Sequence, residues 1–498
     1  MSTISRAISN TFYLICDWFV IMVLGYVFWI ALAKLLSPAD VGMFSTISNV
    51  AIFLSTFSSL GFNNAATKIV SQYLAKGMVD YAGGVMRFML KESLIAGLLV
   101  SFIFLIAIKI FFPSYLDIYG IISVIAYLVL SSLYLISQGY LLGIQDTKKI
   151  FLTDLFNYFV KIVITVALIF IGFGYFGPVI GFCFATFLAF LWRLKSMKIN
   201  EFKIDVKEIW NFSLNAMVGN MGGILFFQTT VILLGVLGTM AEVGIFTLVF
   251  MLTTPIRATF QSVSGSISPL ASGKWTLNEK GIVEEMTNHA VRYSIFLTVP
   301  ILLIIIFYSE EILLTLTRQE YLVGAGSMMI ISLASLFFGL SYILFTVLYS
   351  IGEVVKVRNM NLAGGVANAV LCVALIPLLG IVGASSAYFF ASVLAFAMAV
   401  FLFRKKMNMK IKGVVKIIIS SLLFYLIILL SKQILSGVYS VIFGGVFGIV
   451  AYFLSLIYLG FFEKTDMKVL SSIELKIPRL RKFISFLKDI MKNYSKEE

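Results

Sequence analysis

Charge is scarce in this chain: of 498 residues only 12% are Asp, Glu, Lys or Arg, while 60% are hydrophobic. Soluble domains carry about a quarter of their residues as charges, so this sequence has too little polar surface for a globular fold of its size. Histidine and cysteine are nearly absent as well. His289 stands alone, and Cys16, Cys183 and Cys372 all lie inside apolar runs. Without a CxxC pair, a zinc or redox centre has almost no ligands, and the thiols read as small packing groups. No GxxxxGK[ST] loop is present, so ATP is excluded as a direct energy source and no cofactor is expected. A cleavable signal peptide is not expected either, since the apolar run from Thr11 to Ala33 is too long for one.

What the chain does contain is long apolar runs, giving a mean hydropathy of +1.02. A helix crosses a bilayer with roughly 20 apolar residues. That length predicts spans near 11–33, 43–62, 84–110, 118–143, 154–172, 174–195, 209–237, 243–268, 290–309, 325–351, 358–379, 381–404, 413–431 and 437–461. The expected fold is an all-α membrane protein of about fourteen transmembrane helices. No link on the outer side exceeds about a dozen residues, which leaves no room there for an extramembrane domain.

The formal net charge of +14 could suggest nucleic acid, but the basic residues fall almost entirely between the spans and not on one soluble face. With both termini cytoplasmic, all 38 Lys and Arg residues lie on the inner side except Lys34, Lys109, Arg318 and Lys432. Such a split is a topology signal, so a multi-pass protein of the cytoplasmic membrane is expected, and no nucleic-acid partner.

The chain also repeats itself. Ala39-Asp40-Val41-Gly42-Met43-Phe44 returns as Ala241-Glu242-Val243-Gly244-Ile245-Phe246, and Gly174-Tyr175-Phe176-Gly177 returns as Gly380-Ile381-Val382-Gly383. Six helices per repeat is an even number, so the two halves share one orientation, a transporter architecture with its substrate cavity between the lobes. The expected organisation is an N-lobe over 1–196, a linker over 197–208, a C-lobe over 209–405, two further helices within 406–462 and a tail over 463–498. In the tail, Leu480, Phe483, Ile484, Leu487 and Met491 share a helical face opposite Arg481, Lys482, Lys488 and Lys492, the pattern of an amphipathic helix on an anionic leaflet.

The stretch Leu32-Ala33-Lys34-Leu35-Leu36-Ser37-Pro38-Ala39-Asp40-Val41-Gly42-Met43-Phe44 resembles the first-to-second helix junction of Wzx-type polysaccharide flippases. These belong to the multidrug/oligosaccharidyl-lipid/polysaccharide (MATE-like) exporter superfamily. Glu242-Val243-Gly244-Ile245-Phe246 is similar to the matching second-lobe element. Tyr349-Ser350-Ile351-Gly352-Glu353, Asn368 and Leu375-Ile376-Pro377-Leu378-Leu379-Gly380-Ile381-Val382-Gly383-Ala384 resemble the family's tenth to twelfth helices. The resemblance runs over roughly 5–405. It implies a two-lobed bundle that carries a lipid-linked oligosaccharide to the outer leaflet by alternating access, with polysaccharide polymerase and glycosyltransferases as neighbouring partners. One departure stands out: where the family's seventh helix often carries an acid, this chain reads Phe226-Phe227-Gln228-Thr229-Thr230. No acid-based coupling site is carried over to that helix.

Charges inside spans cost about 2.5 to 3.5 kcal/mol at a helix centre, which makes each one a functional candidate. Asp17 in the first span, Lys161 in the fifth and Arg257 in the eighth are the candidates for the cavity. Arg257 resembles a basic cavity residue of related lipid flippases. A lipid-linked glycan carries a phosphate or pyrophosphate, for which Arg offers a planar fork and Lys a mobile point charge. Lys68, Arg87, Lys91 and Arg292 could form a cytoplasmic mouth. The competing reading for all the basic residues is a topology signal, with Lys161 and Arg257 snorkelling to the headgroups. Gln138, Asn157, Asn215, Asn220, Gln228, Asn361 and Asn368 are read chiefly as interhelical hydrogen-bonding groups. The rival functions are a lipid II flippase, a cation-coupled multidrug antiporter and, of another class, a glycosyltransferase or polymerase. Those enzymes usually need a sizeable outer loop, and none is present, so transport is expected and catalysis is not.

Overall fold

The computed structural model describes residues 3–111, 115–409 and 413–462, with the side chains of 3–8, 11 and 218–222 outside the description. The amphipathic tail read over 463–498 and the side chain of Asn220 therefore lie outside the described residues.

Among the described residues the chain is helical and contains no strand. The helices are α1 (Thr3–Leu35), α2 (Pro38–Ser58), α3 (Phe62–Ala75), α4 (Val79–Phe111), α5 (Ile118–Gly143), α6 (Thr147–Phe170), α7 (Phe176–Leu194) and α8 (Val206–Leu237). They continue with α9 (Met240–Leu252), α10 (Thr254–Thr276), α11 (Lys280–Phe307), α12 (Ser309–Leu316), α13 (Ala325–Ser350), α14 (Val354–Arg404), α15 (Val414–Ile434) and α16 (Gly437–Tyr458). Four of these starts are capped by side chains: Ser37, Asp117, Asp146 and Asp205 each accept a backbone N–H of the following turn. Large apolar side chains such as Leu98, Phe102, Phe159, Phe170 and Leu378 point outward, as expected where lipid is the solvent.

Eleven described helices are long and apolar enough to cross a membrane, or twelve if the bent pair α9 and α10 forms one broken span. That tally counts α14 once, although its 51 residues would run roughly 75 Å if straight. They do not run straight. Glu353, just before α14, accepts from Lys356 at 2.8 Å and from Lys406, just beyond its far end, at 2.7 Å. The chain turns back at Gly380, whose φ of 55° and ψ of −130° suit glycine alone. The sequence expectation of separate spans at 358–379 and 381–404 thus corresponds to two arms of one element. The hydrogen bonds from Lys356 and then Lys406 hold the Glu353 carboxyl below its ordinary range, so the clamp stays charged through neutral pH.

The contacts divide the chain into two compact units. One comprises Met1–Leu252, Leu316–Ser327 and Arg358–Ala391; the other comprises Thr253–Thr315, Met328–Val357 and Ser392–Glu498.

Within the first unit the sequence repeats acquire a physical meaning. A methyl group on Gly42 would lie 1.6 Å from the Met240 carbonyl oxygen, and one on Gly244 would lie 2.0 Å from that of Pro38. Gly42 corresponds to Gly244, and Pro38 to Met240, at the same offset. The two repeats therefore cross through α2 and α9 in a near-symmetric contact that only small residues permit. The acids of the motif serve the second pair of matched segments. Glu242 accepts the Ile381 N–H at 3.0 Å, next to Gly380, and the Thr239 N–H at 2.9 Å. Asp40, its counterpart, bonds Ser37 and has its Oδ1 3.8 Å from where a Cβ on Gly174 would stand.

In the second unit α15 and α16 pack on α11 through Phe296, Tyr308, Phe424, Tyr452 and Phe461. Tyr452 donates to the Phe296 carbonyl at 3.1 Å, and Lys432 pairs with Glu311 at 2.7 Å.

Candidate functional site

Asp146 caps α6 by accepting the Lys149 N–H at 3.1 Å, which fixes the register of the helix. At 3.6 residues per turn, Thr153, Asp154, Asn157 and Lys161 then share one face, and all four are buried. Opposite them stands Arg193, near the end of α7 and fully buried. Its Nη2 donates to Asp154 Oδ1 at 2.7 Å, its Nε to Thr153 Oγ1 at 2.9 Å, and its Nη1 to the Tyr134 carbonyl at 3.4 Å. The guanidinium also lies 3.9 Å over the Tyr134 ring, and the Tyr134 hydroxyl donates to the same Asp154 oxygen.

Asp17, on α1, comes next to Asp154 in this cluster and is 4% exposed, with its Oδ1 accepting no hydrogen bond. The Lys161 ammonium sits 4.1 Å from the Tyr158 ring centroid and 3.9 Å from that of Phe182, within electrostatic reach of Asp154. Two of the expected site residues, Asp17 and Lys161, are thus brought together around Asp154. Sequence reading missed the two residues that organise the cluster. Asp154 and Arg193 fall at the ends of hydropathic spans, where they pass for topology signals. The signal that could have found Asp154 is its helical spacing with Thr153, Asn157 and Lys161; Arg193 carries no such signal.

In the second unit, α10 begins at Thr254 after the 46° break that separates it from α9. Arg257, in its first turn, is 7% exposed. It donates to Thr253 Oγ1 at 3.1 Å, to Ser335 Oγ of α13 at 2.8 Å, and to Thr254 Oγ1 at 3.1 Å. These three hydroxyls orient the guanidinium without themselves neutralising it. The positive end of the α10 dipole lies at the same turn and favours an anion there.

Three of the remaining candidates, Arg292, Arg87 and Lys68, have intramolecular partners, and Lys91 is exposed. Arg292 donates to the Phe461 carbonyl and lies 4.4 Å over the Phe461 ring, while Lys416 donates to the Gly460 carbonyl at 2.6 Å. Together they close the C-terminal end of α16, where cations suit the exposed carbonyls. Arg87 pairs with Glu201 of the linker, and Lys68 lies 4.2 Å over the Phe212 ring. The linker is held there by further bonds, from Asn200 to Asp80 at 2.8 Å and from the Asp205 N–H to the Tyr81 hydroxyl at 2.8 Å.

A family model described as polysaccharide biosynthesis protein matches residues 7–275, more than half of the chain. The chain belongs to the polysaccharide biosynthesis protein family. The matched region contains Asp17, Asp154, Lys161, Arg193 and Arg257 and excludes Arg292. Similarity extends to a protein of Haloferax volcanii named as a probable low-salt glycan biosynthesis flippase, Agl15, with 24% identity over 192 residues, covering 39% of this chain and 40% of that protein. Among solved structures, the lipid II flippase MurJ in an inward closed conformation superposes with a TM-score of 0.70 at 17% identity, covering 89% of this chain and 98% of MurJ. An inward-facing multidrug resistance MATE family transporter of the MOP superfamily gives 0.67 at 14% identity, covering 78% and 94%. At these identities the superpositions establish the fold: this polysaccharide biosynthesis family member is a multi-pass helical membrane protein with a MurJ- and MATE-like architecture.

Proposed function

We propose that the protein is a flippase that carries a lipid-linked oligosaccharide, a polyprenyl-phosphate- or pyrophosphate-linked repeat unit, across the cytoplasmic membrane by alternating access. The observation that carries this reading is the polysaccharide biosynthesis family match over 7–275, joined to a fold shared with a lipid flippase. In this reading fourteen helices cross the membrane, both termini are cytoplasmic, two six-helix lobes over 1–196 and 209–405 alternate, and the chain transports without catalysing. Arg257 is the residue assigned to the phosphate, because it is a buried cation in the first turn of α10 and its fork matches phosphate oxygens.

Deleting the gene tests the reading. Lipid-linked repeat units should accumulate on the inner leaflet while surface glycan is lost. Normal surface glycan, or accumulation of unlinked sugar nucleotides in place of lipid-linked units, would count against it.

A further inference from the structure

We propose that Tyr26 of α1 is a positioning residue for Arg257: its hydroxyl takes the Leu252 carbonyl that the break between α9 and α10 leaves open, and so fixes the turn of backbone from which Arg257 projects. The inference deepens the flippase reading and rests on its assignment of Arg257 to the substrate phosphate.

The break follows from the sequence Leu252-Thr253-Thr254-Pro255. Pro255 has no N–H to return to the Met251 carbonyl, and proline is tolerated only where a helix begins, so the chain restarts as α10 at Thr254. The Ile256 N–H, which a continuous helix would give to Leu252, goes to the Thr253 carbonyl at 3.2 Å. The Leu252 carbonyl thereby loses its helical donor in a residue that is 5% exposed. Inside a membrane, water is not at hand to replace that donor, and an open carbonyl costs as much as a lost hydrogen bond. Tyr26 fills the place. Its hydroxyl donates to the Leu252 oxygen at 2.9 Å, from 226 positions away in the sequence.

Both ends of this bond are anchored. On α1 the nearby Phe28 and Trp29 rings stand 5.9 and 5.8 Å from that of Phe44 on α2. On α9, Gly244 packs directly on the α2 backbone at Pro38 and Gly42. The bond therefore pins the end of α9 in place. The next two residues along the chain are ones that hold Arg257: Thr253 Oγ1 accepts from its Nη1 and Thr254 Oγ1 from its Nη2, each at 3.1 Å. Planar peptide units carry any shift of the Leu252 carbonyl to those hydroxyls, and with them to the direction of the guanidinium. Bidentate recognition of a phosphate depends on that direction.

Tyr26→Phe removes the hydroxyl and keeps the ring, and two measurements on the full-length protein test its role. The first is a double-mutant cycle with Arg257→Ala, read as translocation of a fluorescent polyprenyl-diphosphate oligosaccharide in liposomes at equal protein content. Alone, Tyr26→Phe should slow translocation about three- to tenfold, the effect of one hydrogen bond. In the Arg257→Ala background it should change nothing further, because the group it positions is gone. A merely structural tyrosine would slow both backgrounds by the same factor. That result, or full-rate translocation by Tyr26→Phe, would overturn the assignment. The second measurement is amide hydrogen exchange of the purified protein in detergent. Exchange over 251–257 should rise in Tyr26→Phe while exchange in α2 stays as in wild type, and unchanged exchange at the break would overturn the proposal as well. Wild-type protein that translocates nothing would instead count against the flippase reading, and the exchange comparison would still decide whether Tyr26 holds the break.

Discussion

Export by Arg257→Ala is expected to fall about ten- to hundredfold, with the protein still present in the membrane at wild-type level. The estimate is the loss of one charge-assisted phosphate contact, roughly 1.5–3 kcal/mol. Among its partners, the hydroxyls of Thr253, Thr254 and Ser335 can turn to other acceptors when the guanidinium goes. Arg257→Lys keeps the charge but not the two-pronged geometry, so intermediate export is expected. Quantifying surface glycan against membrane protein level for the three proteins checks this. Full export by the alanine variant would remove Arg257 from the substrate path and leave it as an anchor between α10 and α13.

Arg193→Ala is expected to fail differently, through folding. Removing one partner of a buried ion pair leaves the other charge uncompensated at a cost of about 3–5 kcal/mol. Arg193 is fully buried, and Asp154, Thr153 and Tyr134 all depend on it. The variant should therefore be depleted from the membrane or melt well below wild type in detergent. Adding Asp154→Asn should recover much of that loss, since the orphaned carboxylate is then gone. The contrast between the two arginines is measurable. One should lower activity at constant protein level, and the other should lower the protein level itself.

Much of this architecture could be read from the sequence because lipid imposes a simple rule on it: long apolar runs become helices. The repeat was equally visible as a recurrence of residues, yet its reason was not. Gly42 and Gly244 recur because each must admit the other helix's backbone, and Asp40 and Glu242 recur because each stands beside the turn before a later helix. Neither contact has a periodicity that a single sequence displays. The candidate site was half legible. Asp17 and Lys161 stood out as charges within apolar spans, whereas Asp154 and Arg193 did not, since hydropathy places the span ends at those residues. Their pairing joins positions 39 residues apart and shows only once α6 and α7 pack. Lys68, Arg87 and Arg292 have contacts that a single sequence does not display. Read from the sequence as a mouth for an anionic substrate or as topology signals, they meet Phe212 of α8, Glu201 of the linker and the Phe461 carbonyl after α16.

The central claim is translocation of a lipid-linked oligosaccharide, and reconstitution measures it most directly. Purified full-length protein is inserted into liposomes that carry a fluorescent polyprenyl-diphosphate oligosaccharide in both leaflets, and a membrane-impermeant glycosidase is added outside. Without protein, only the outer-leaflet half should be cleaved. With wild-type protein, cleavage should proceed beyond that half as inner-leaflet lipid is brought out, and Arg257→Ala should slow this second phase about ten- to hundredfold. Cleavage that stops at the protein-free level in vesicles containing folded wild-type protein would contradict the account.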